Sequence, residues 1–284
     1  MSKILVTGGA GFVGTNLIIE LLKLNHVIVS IDDYSIGSKE NHQLGVKYIE
    51  GDINDIENLI NNDFDYCFHL AGLSRIQPSF ENPEVTFKSN TQGTLKVLQW
   101  SKTNNSKVIY SGSSSKHHDP TISPYAMFKY LGEEISKLYR ITYGMNIEIV
   151  RFYNVYGPYE IIDGKWAALI GKWRGQIKEG KPLTIVGDGN QRRDFTHIID
   201  IIDGLIKIAF SEQTQDDAWE LGSGKNYSIN DVFEIFQKAF DVKPEFVLNQ
   251  KGNYKETLRE SNEAINLLGW NPQDRLQDYI LNLE

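Results

Sequence analysis

The chain has one cysteine, Cys67, in 284 residues. A single thiol excludes an internal disulfide and a cysteine-built metal cluster, and no metal site is expected. Cys67 lies in the apolar run "YCFHLAG", which predicts a buried structural thiol. Positive charge is short as well: 29 Lys and Arg stand against 37 Asp and Glu, a net charge of −8. That balance argues against nucleic acid or an anionic membrane as partner, while leaving room for a local basic pocket that takes a phosphate. No apolar run is long enough to span a bilayer. The opening "MSKILVTGG" enters a strand-like run without the layout of a signal peptide, so a cytoplasmic protein is expected. Internal repeats, low-complexity tracts and flexible linkers are missing too.

Glycine, by contrast, is plentiful, with 24 residues, and 40% of the chain is hydrophobic. The profile suits one large or two small globular domains with a sizeable core. Short apolar runs at 3–8, 26–32, 46–52, 65–72, 106–115 and 146–157 read as buried strands. Between them, 11–24, 83–103 and 123–144 read as helices. Pro83 and Pro124 suit first turns, Ser123 an N-cap and Gly144 a helix stop. This alternation predicts an α/β fold with a doubly wound parallel sheet. After Gly157 the pattern loosens into a smaller C-terminal part. The expected division is 1–157, with a returning segment near 192–212, against 158–191 and 213–284.

The segment "VTGGAGFVG" follows the first strand and opens the first helix. It carries Gly9, Gly11 and Gly14 as G-x-G-x-x-G, and Gly8, Gly11 and Gly14 at a spacing of three. Alone, such glycines make only a tight turn. In this setting they let the backbone of Gly11, Phe12, Val13 and Gly14 approach a pyrophosphate at a helix N-terminus. Asp32 ends the second strand, eighteen residues after Gly14. A carboxylate there accepts from ribose hydroxyls and repels a 2′-phosphate, favouring NAD over NADP. Asp33 is less informative. Asp52 and Ile53 end the third strand, where an adenine would lie. The 1–157 part is thus expected to be a Rossmann-type dinucleotide domain.

Tyr125 and Lys129, in "SPYAMFKYLGEE", are four apart and share one helix face. Alone, they are a surface stripe. The serine cluster 111–115 leaves a strand at the carboxyl edge of the sheet, where ligands bind in this architecture. The Tyr125 helix starts beside the same edge, so Ser, Tyr and Lys can converge.

With these residues in place, the sequence resembles the extended short-chain dehydrogenase/reductases, specifically the nucleotide-sugar epimerase/dehydratase group. The matching segments are "TGGAGFVG", "HLAG", "SNTQGT", "SGSSS", "SPYAMFK", "RFYNVYGP", "GDGNQRRDFTHIIDIIDG" and "LLGWNP", from residue 4 to about 272. The resemblance implies that Tyr125 is the base, that Ser113 bonds the same oxygen, and that Lys129 holds the nicotinamide ribose and tunes Tyr125. Ser114 is the alternative to Ser113. An unperturbed tyrosine has a pKa near about 10, and lowering it by about three units takes about 4 kcal/mol. A nearby ammonium and a positive nicotinamide ring can supply that.

The resemblance further implies cofactor contacts at Leu70, Ala71, Gly72 and Asn90, with a helix-packing amide as the other reading of Asn90. On the substrate side it implies Asn154 and Arg193 at a nucleotide-sugar diphosphate, with Arg192 pointing elsewhere. Arg193 suits a diphosphate because a guanidinium can bind two oxygens at once. Lys251, or else Arg259, would replace the arginine usual before the glycine of the 249–261 segment. Thr257 falls at a position that controls sugar size. Lys172, Trp173 and Arg174 face the nucleotide or form a surface stripe. His117 and His118 read as exposed, and His69 as structural. The segment between Ser113 and Tyr125 is short, with "KHHDP" in place of the usual continuation. No Asp-Glu pair follows the serine, which argues against 4,6-dehydration. The expected activity is an NAD-dependent 4-epimerase on a nucleotide-sugar, UDP-linked by the resemblance. A dehydratase or keto-sugar reductase is the alternative, and a silent NAD-binding protein the contrast from another class. The helices at 83–103 and 123–143 are the expected homodimer interface.

Overall fold

The computed structural model describes residues 1–61 and 63–283. Seven parallel strands form the central sheet: β1 (Lys3–Thr7), β2 (Val27–Asp32), β3 (Lys47–Glu50), β4 (Tyr66–His69), β5 (Lys107–Ser113), β6 (Ile147–Phe152) and β7 (Trp219–Leu221). Their order is β7-β6-β5-β4-β1-β2-β3. The chain winds outward one way from β1 and the other way from β4, so a topological switch point lies between them. A crevice opens there at the carboxyl ends of the strands.

The central strands are apolar on both faces because helices cover both. Ile4 and Val6 of β1 pack with Leu17, Ile18 and Leu21 of α1 (Phe12–Lys23). Leu5 points the other way, into a cluster with Val97, Leu98, Trp100 and Tyr139. Alternate side chains of one strand thus feed two separate cores. Cys67 lies fully buried in the second core.

Two helical segments behind β5 carry the site. The first begins as α2 (Pro83–Phe87), passes through a π turn at Lys88–Gln92 and continues as α3 (Gly93–Asn104). The sequence reads as one unbroken helix here. The difference has a local cause. Asn90, in the π turn, accepts from the Leu73 N–H at 2.7 Å and donates to the Leu73 carbonyl at 2.8 Å. Such a bulge inside a helix marks a functional wall more often than a plain surface. The second helix, α4 (Pro124–Tyr143), follows its sequence signals. Ser123 Oγ accepts from the Ala126 N–H at 3.1 Å, Pro124 sits in the first turn, and Gly144 stops the helix at φ +63°.

β6 ends at Phe152, short of the expected 157. Asn154 has φ +27°, which turns the chain out of the sheet. Val155–Tyr156 then pairs with Thr196–His197 in a separate two-stranded ladder. Trp219–Leu221, read from sequence with the C-terminal part, instead joins the main sheet beside β6. The smaller part has its own core, in which Trp173, Leu183, Ile185, Phe233 and Phe236 meet. Among the described residues, no helix is long and apolar enough to cross a membrane.

A buried charge cluster ties α4 to the sheet. Arg151 of β6 is 2% exposed and donates to Glu133 of α4 at 2.9 Å, to Glu220 of β7 at 3.2 Å and, in the loop before β7, to Asp217 at 2.8 Å. Removing one partner of a buried pair leaves the other uncompensated. Glu133→Gln is therefore expected to lower stability by about 3 kcal/mol, read as a fall in the urea midpoint at unchanged slope.

Candidate active site

The site begins where β1 runs out. Gly8 turns at φ +71°, and a Cβ there would come within 2.8 Å of the Ala71 amide nitrogen. At Gly14 a Cβ would meet the Gly8 carbonyl oxygen at 2.2 Å. These two positions exclude any side chain, so the turn stays tight and the N-terminus of α1 faces an open cradle. The Asp32 carboxylate accepts from Ala10 N–H and Tyr34 N–H, both at 2.9 Å. Burial pushes its carboxyl up, while those two N–H groups pull it down. Asp32 is thus fixed at the end of β2 with further lone pairs toward the cavity.

That cavity is about 680 Å³. Gly8, Gly11, Phe12, Val13, Gly14 and Asp32 line it, with Ile53, Leu70, Ala71 and Gly72. Two expected cofactor residues are outside its wall. Asn90 is buried, and its amide is spent on both backbone groups of Leu73. Through these two bonds it braces the loop after β4, beside the cavity-lining Gly72. Asp52 points away too, paired with Lys88 at 2.8 Å and capping the turn through the Asn54 N–H.

The reacting corner lies at the end of β5. Ser113 Oγ is 3.1 Å from the Tyr125 hydroxyl, so the structure brings Ser113, not Ser114, against the tyrosine. Ser115 Oγ donates to Ser113 Oγ at 2.9 Å. Lys129 Nζ donates to the Ser111 carbonyl at 2.8 Å and makes no hydrogen bond to Tyr125. Burial pushes the Lys129 ammonium down to about 8, with the Glu133 carboxylate opposing. Burial pushes the Tyr125 hydroxyl up; the Ser113 hydrogen bond and the Arg75 guanidinium pull it back. Glu133 accepts from the Ser113 N–H at 3.2 Å, fastening the strand end that presents the serine.

Asn154, Arg193, Thr257, Lys172 and Ser114 line the same cavity. Asn154 Nδ2 donates to the Asp194 carbonyl and to Thr257 Oγ1, each at 3.1 Å, so two expected residues meet although far apart in sequence. Arg193 donates to the Arg192 carbonyl at 2.7 Å and to Asn253 Oδ1 at 2.5 Å. Among the described residues it has no carboxylate partner, and burial pushes its guanidinium down to about 10. A half-buried cation without a carboxylate partner suits an incoming anion. Arg192 turns away to Asn226 and Asp231.

Lys251 does not reach the cavity, because its ammonium lies over the Phe80 ring, 5.0 Å from the centroid. Arg259 is also turned away, to the Gly222 carbonyl and Asn262. Neither supplies the second arginine. Trp173 is core, and Arg174 pairs with Glu160 at 3.0 Å. His117 is half-buried rather than exposed, with Glu220 at 2.6 Å and Glu260 at 3.0 Å. His118 stacks on Tyr254. His69 is held between Thr7 and Thr94, a structural role. Sequence reasoning missed Arg75, Glu160, Trp166 and Tyr254, which also line the cavity. They sit on irregular loops with no period to betray them.

The cradle fits NAD: glycine backbone where a pyrophosphate would pass, and an acid where the ribose would sit. By equilibrium dialysis, the protein is expected to bind NAD at least about tenfold more tightly than NADP, since a carboxylate beside a 2′-phosphate repels it. Equal binding of the two would contradict this placement of Asp32.

Comparison with known proteins agrees with this geometry. Residues 4–222 match the model of the NAD dependent epimerase/dehydratase family. The chain is 33% identical to a UDP-glucuronate 4-epimerase of Thermodesulfobacterium geofontis, over 98% of this chain and 94% of that one. It is 28% identical to a UDP-glucuronic acid decarboxylase of Arabidopsis thaliana, over 97% and 86%. A solved UDP-N-acetylglucosamine 4-epimerase from Methanobrevibacter ruminantium, in complex with UDP-N-acetylmuramic acid, superposes with a TM-score of 0.90 at 29% identity, covering 99% of this chain and 96% of that one. A glycine cradle, an acid-ended second strand and a Ser-Tyr-Lys corner, with a family match over most of the chain, lead to one conclusion: the chain belongs to the NAD-dependent epimerase/dehydratase family.

Proposed function

We propose that the protein is an NAD-dependent 4-epimerase acting on a UDP-sugar. The observation that carries this reading is the Tyr125 hydroxyl 3.1 Å from Ser113 Oγ, both lining the cavity that the glycine turn and Arg193 also line. NAD, when bound, supplies the hydride acceptor and then the hydride donor at sugar C4. Tyr125 takes the proton of the C4 hydroxyl while the separate hydrogen on C4 leaves as hydride, and Ser113 holds the same oxygen. Arg193 grips the diphosphate while the keto-sugar turns over. Tyr125 then returns the proton to the oxygen of the inverted centre. Atoms and electrons balance without net consumption of cofactor, and substrate and product have equal mass.

Two features support epimerisation over dehydration. The positions after Ser113 are Ser114 and Ser115, hydroxyls unsuited to the carboxylic-acid work of eliminating water. Two of the three relatives described above are named as 4-epimerases. An intact corner also argues against a silent NAD-binding protein.

We further propose that α2, α3 and α4 form a dimer interface. Val85, Phe87, Leu138, Ile141 and Tyr143 leave large apolar surface exposed on these helices. Light scattering is expected to give twice the 32.4 kDa chain mass, and a monomeric mass would refute the interface.

With Tyr125→Phe, turnover is expected to fall by about 10²–10⁴-fold, while NAD and UDP still bind within about twofold of wild type. Incubated with a panel of UDP-, dTDP-, GDP- and CDP-sugars, the wild-type protein is expected to yield an isomer of unchanged mass inverted at C4. Loss of one water would make it a dehydratase instead.

A further inference from the structure

The loop that leaves the reacting corner carries two histidines that the proposed chemistry does not use. His117 follows Ser113 in that loop and is half-buried between two carboxylates. Its Nε2 is 2.6 Å from Glu220 Oε1 of β7, and its Nδ1 is 3.0 Å from Glu260 Oε2. A neutral imidazole has one N–H and one lone pair, so it can donate to only one of these partners. The imidazolium, with two donors, satisfies both. The surrounding groups agree on balance. Burial pushes the imidazole down, but Glu220 and Glu260 carry it above its ordinary value, with Arg151 of β6 opposing them. Tyr153 stacks beside the ring and gives its own hydroxyl to Glu220. The other charged neighbours are engaged elsewhere: Lys116 with Glu134, Glu256 with Asn226, and Arg259 with the Gly222 carbonyl. His118 is pushed down, by burial and then by the charge on His117.

The histidines hold a wall of the cavity. Asn253, Tyr254 and Thr257 line it. Thr257 also lines a second cavity of about 380 Å³, shared with His117 and Glu260, so the 253–260 segment has open space on both sides. One edge of the segment is fastened by backbone bonds. The Lys255 carbonyl accepts from Arg192 N–H at 3.0 Å, and Thr257 N–H donates to the Arg192 carbonyl at 3.1 Å. The histidine loop fastens it a second time. His117 takes the Glu260 carboxylate, and His118 stacks on Tyr254 with ring centroids 4.0 Å apart. Glu220 also accepts from the Glu260 N–H at 3.2 Å. The segment in turn sets two residues of the candidate nucleotide site, because Asn253 holds Arg193 and Thr257 holds Asn154.

We propose that His117 is a positioning residue: as an imidazolium shared by Glu220 and Glu260, it holds the 253–260 segment against the cavity and thereby sets the affinity for the nucleotide. This rests on the reading of the cavity as a UDP-sugar site. The sign follows from the geometry. The clamp is complete while the imidazole is protonated, and it loses its Glu260 arm as pH rises through the raised pKa of His117. The NAD cradle lies on other elements, so cofactor affinity does not follow this titration.

The test is equilibrium binding of UDP to the NAD-loaded protein, wild type against His117→Gln. Glu160 and Lys129 also titrate near neutral pH, up to about 7 and down to about 8. They are common to both proteins, so the ratio of the two affinities isolates His117. At about pH 6.5, wild type is expected to bind UDP about three- to tenfold more tightly, the span of a charge-assisted bond whose carboxylate is partly exposed. At about pH 9 the ratio should fall to about 1. Glu260→Gln should behave like His117→Gln, and NAD affinity should stay within about twofold throughout. A ratio near 1 at both pH values would overturn the proposal. So would a ratio that does not change with pH, or a parallel loss of NAD, since either marks a merely structural role. If UDP does not bind wild type, the UDP-sugar reading falls, and amide hydrogen exchange over 253–260 then decides the clamp by itself. Faster exchange in His117→Gln at about pH 6.5, vanishing at about pH 9, would uphold it, and equal exchange at both would overturn it.

Discussion

The structure turns on three residues of α4, Tyr125, Lys129 and Glu133, meeting two residues of β5, Ser111 and Ser113. Spaced by four, they form one stripe along the helix. The hydroxyl meets Ser113 Oγ, the ammonium meets the Ser111 carbonyl, and the carboxylate meets the Ser113 N–H. Helix and strand are therefore registered at three successive turns. Glu133 is in turn held by Arg151, whose other partners include Glu220 of β7. A charge cluster this deep is a weak source of net stability. What it supplies is position, because a slip of α4 would unpair several buried charges at once.

The same burial sets the electrostatics of the corner. It raises the proton affinity of Tyr125 and lowers that of Lys129, both directions that disfavour the charged forms. A tyrosine in such a place needs positive charge nearby to act as a base. Without a cofactor, the charge that pulls Tyr125 down is that of Arg75. NAD, when bound, would supply further positive charge to this corner. For the proposed epimerisation, which starts with hydride loss, cofactor binding would then be coupled to readiness of the base.

Much of this was legible in the sequence wherever local chemistry decides. The glycines of the first turn, the acid at the end of β2, and the cap, proline and glycine of α4 are short-range signals, and each is seen in the structure. Tyr125 and Lys129 share a face for the same reason. The unread parts depend on contacts across the chain. Asn90 had two readings in sequence, cofactor contact or packing amide, and nothing local announced its bonds to Leu73, seventeen residues back. Lys251 had the right charge but lies over Phe80. Arg75 joins Trp166 across 91 positions, on two loops without periodicity. β7 has three residues, too few for a strand pattern to show.

The central claim is that the hydrogen on sugar C4 leaves and returns as hydride while Tyr125 handles only the hydroxyl proton. The most direct measurement uses a UDP-sugar substrate carrying deuterium at C4, with NMR and mass analysis of both epimers at equilibrium. The account predicts that the deuterium stays at C4 in each epimer and that no solvent hydrogen enters any ring carbon. Washout of the label, or solvent hydrogen at C4 or C5, would mean that a carbon-bound proton is exchanged and would contradict the role given to Tyr125.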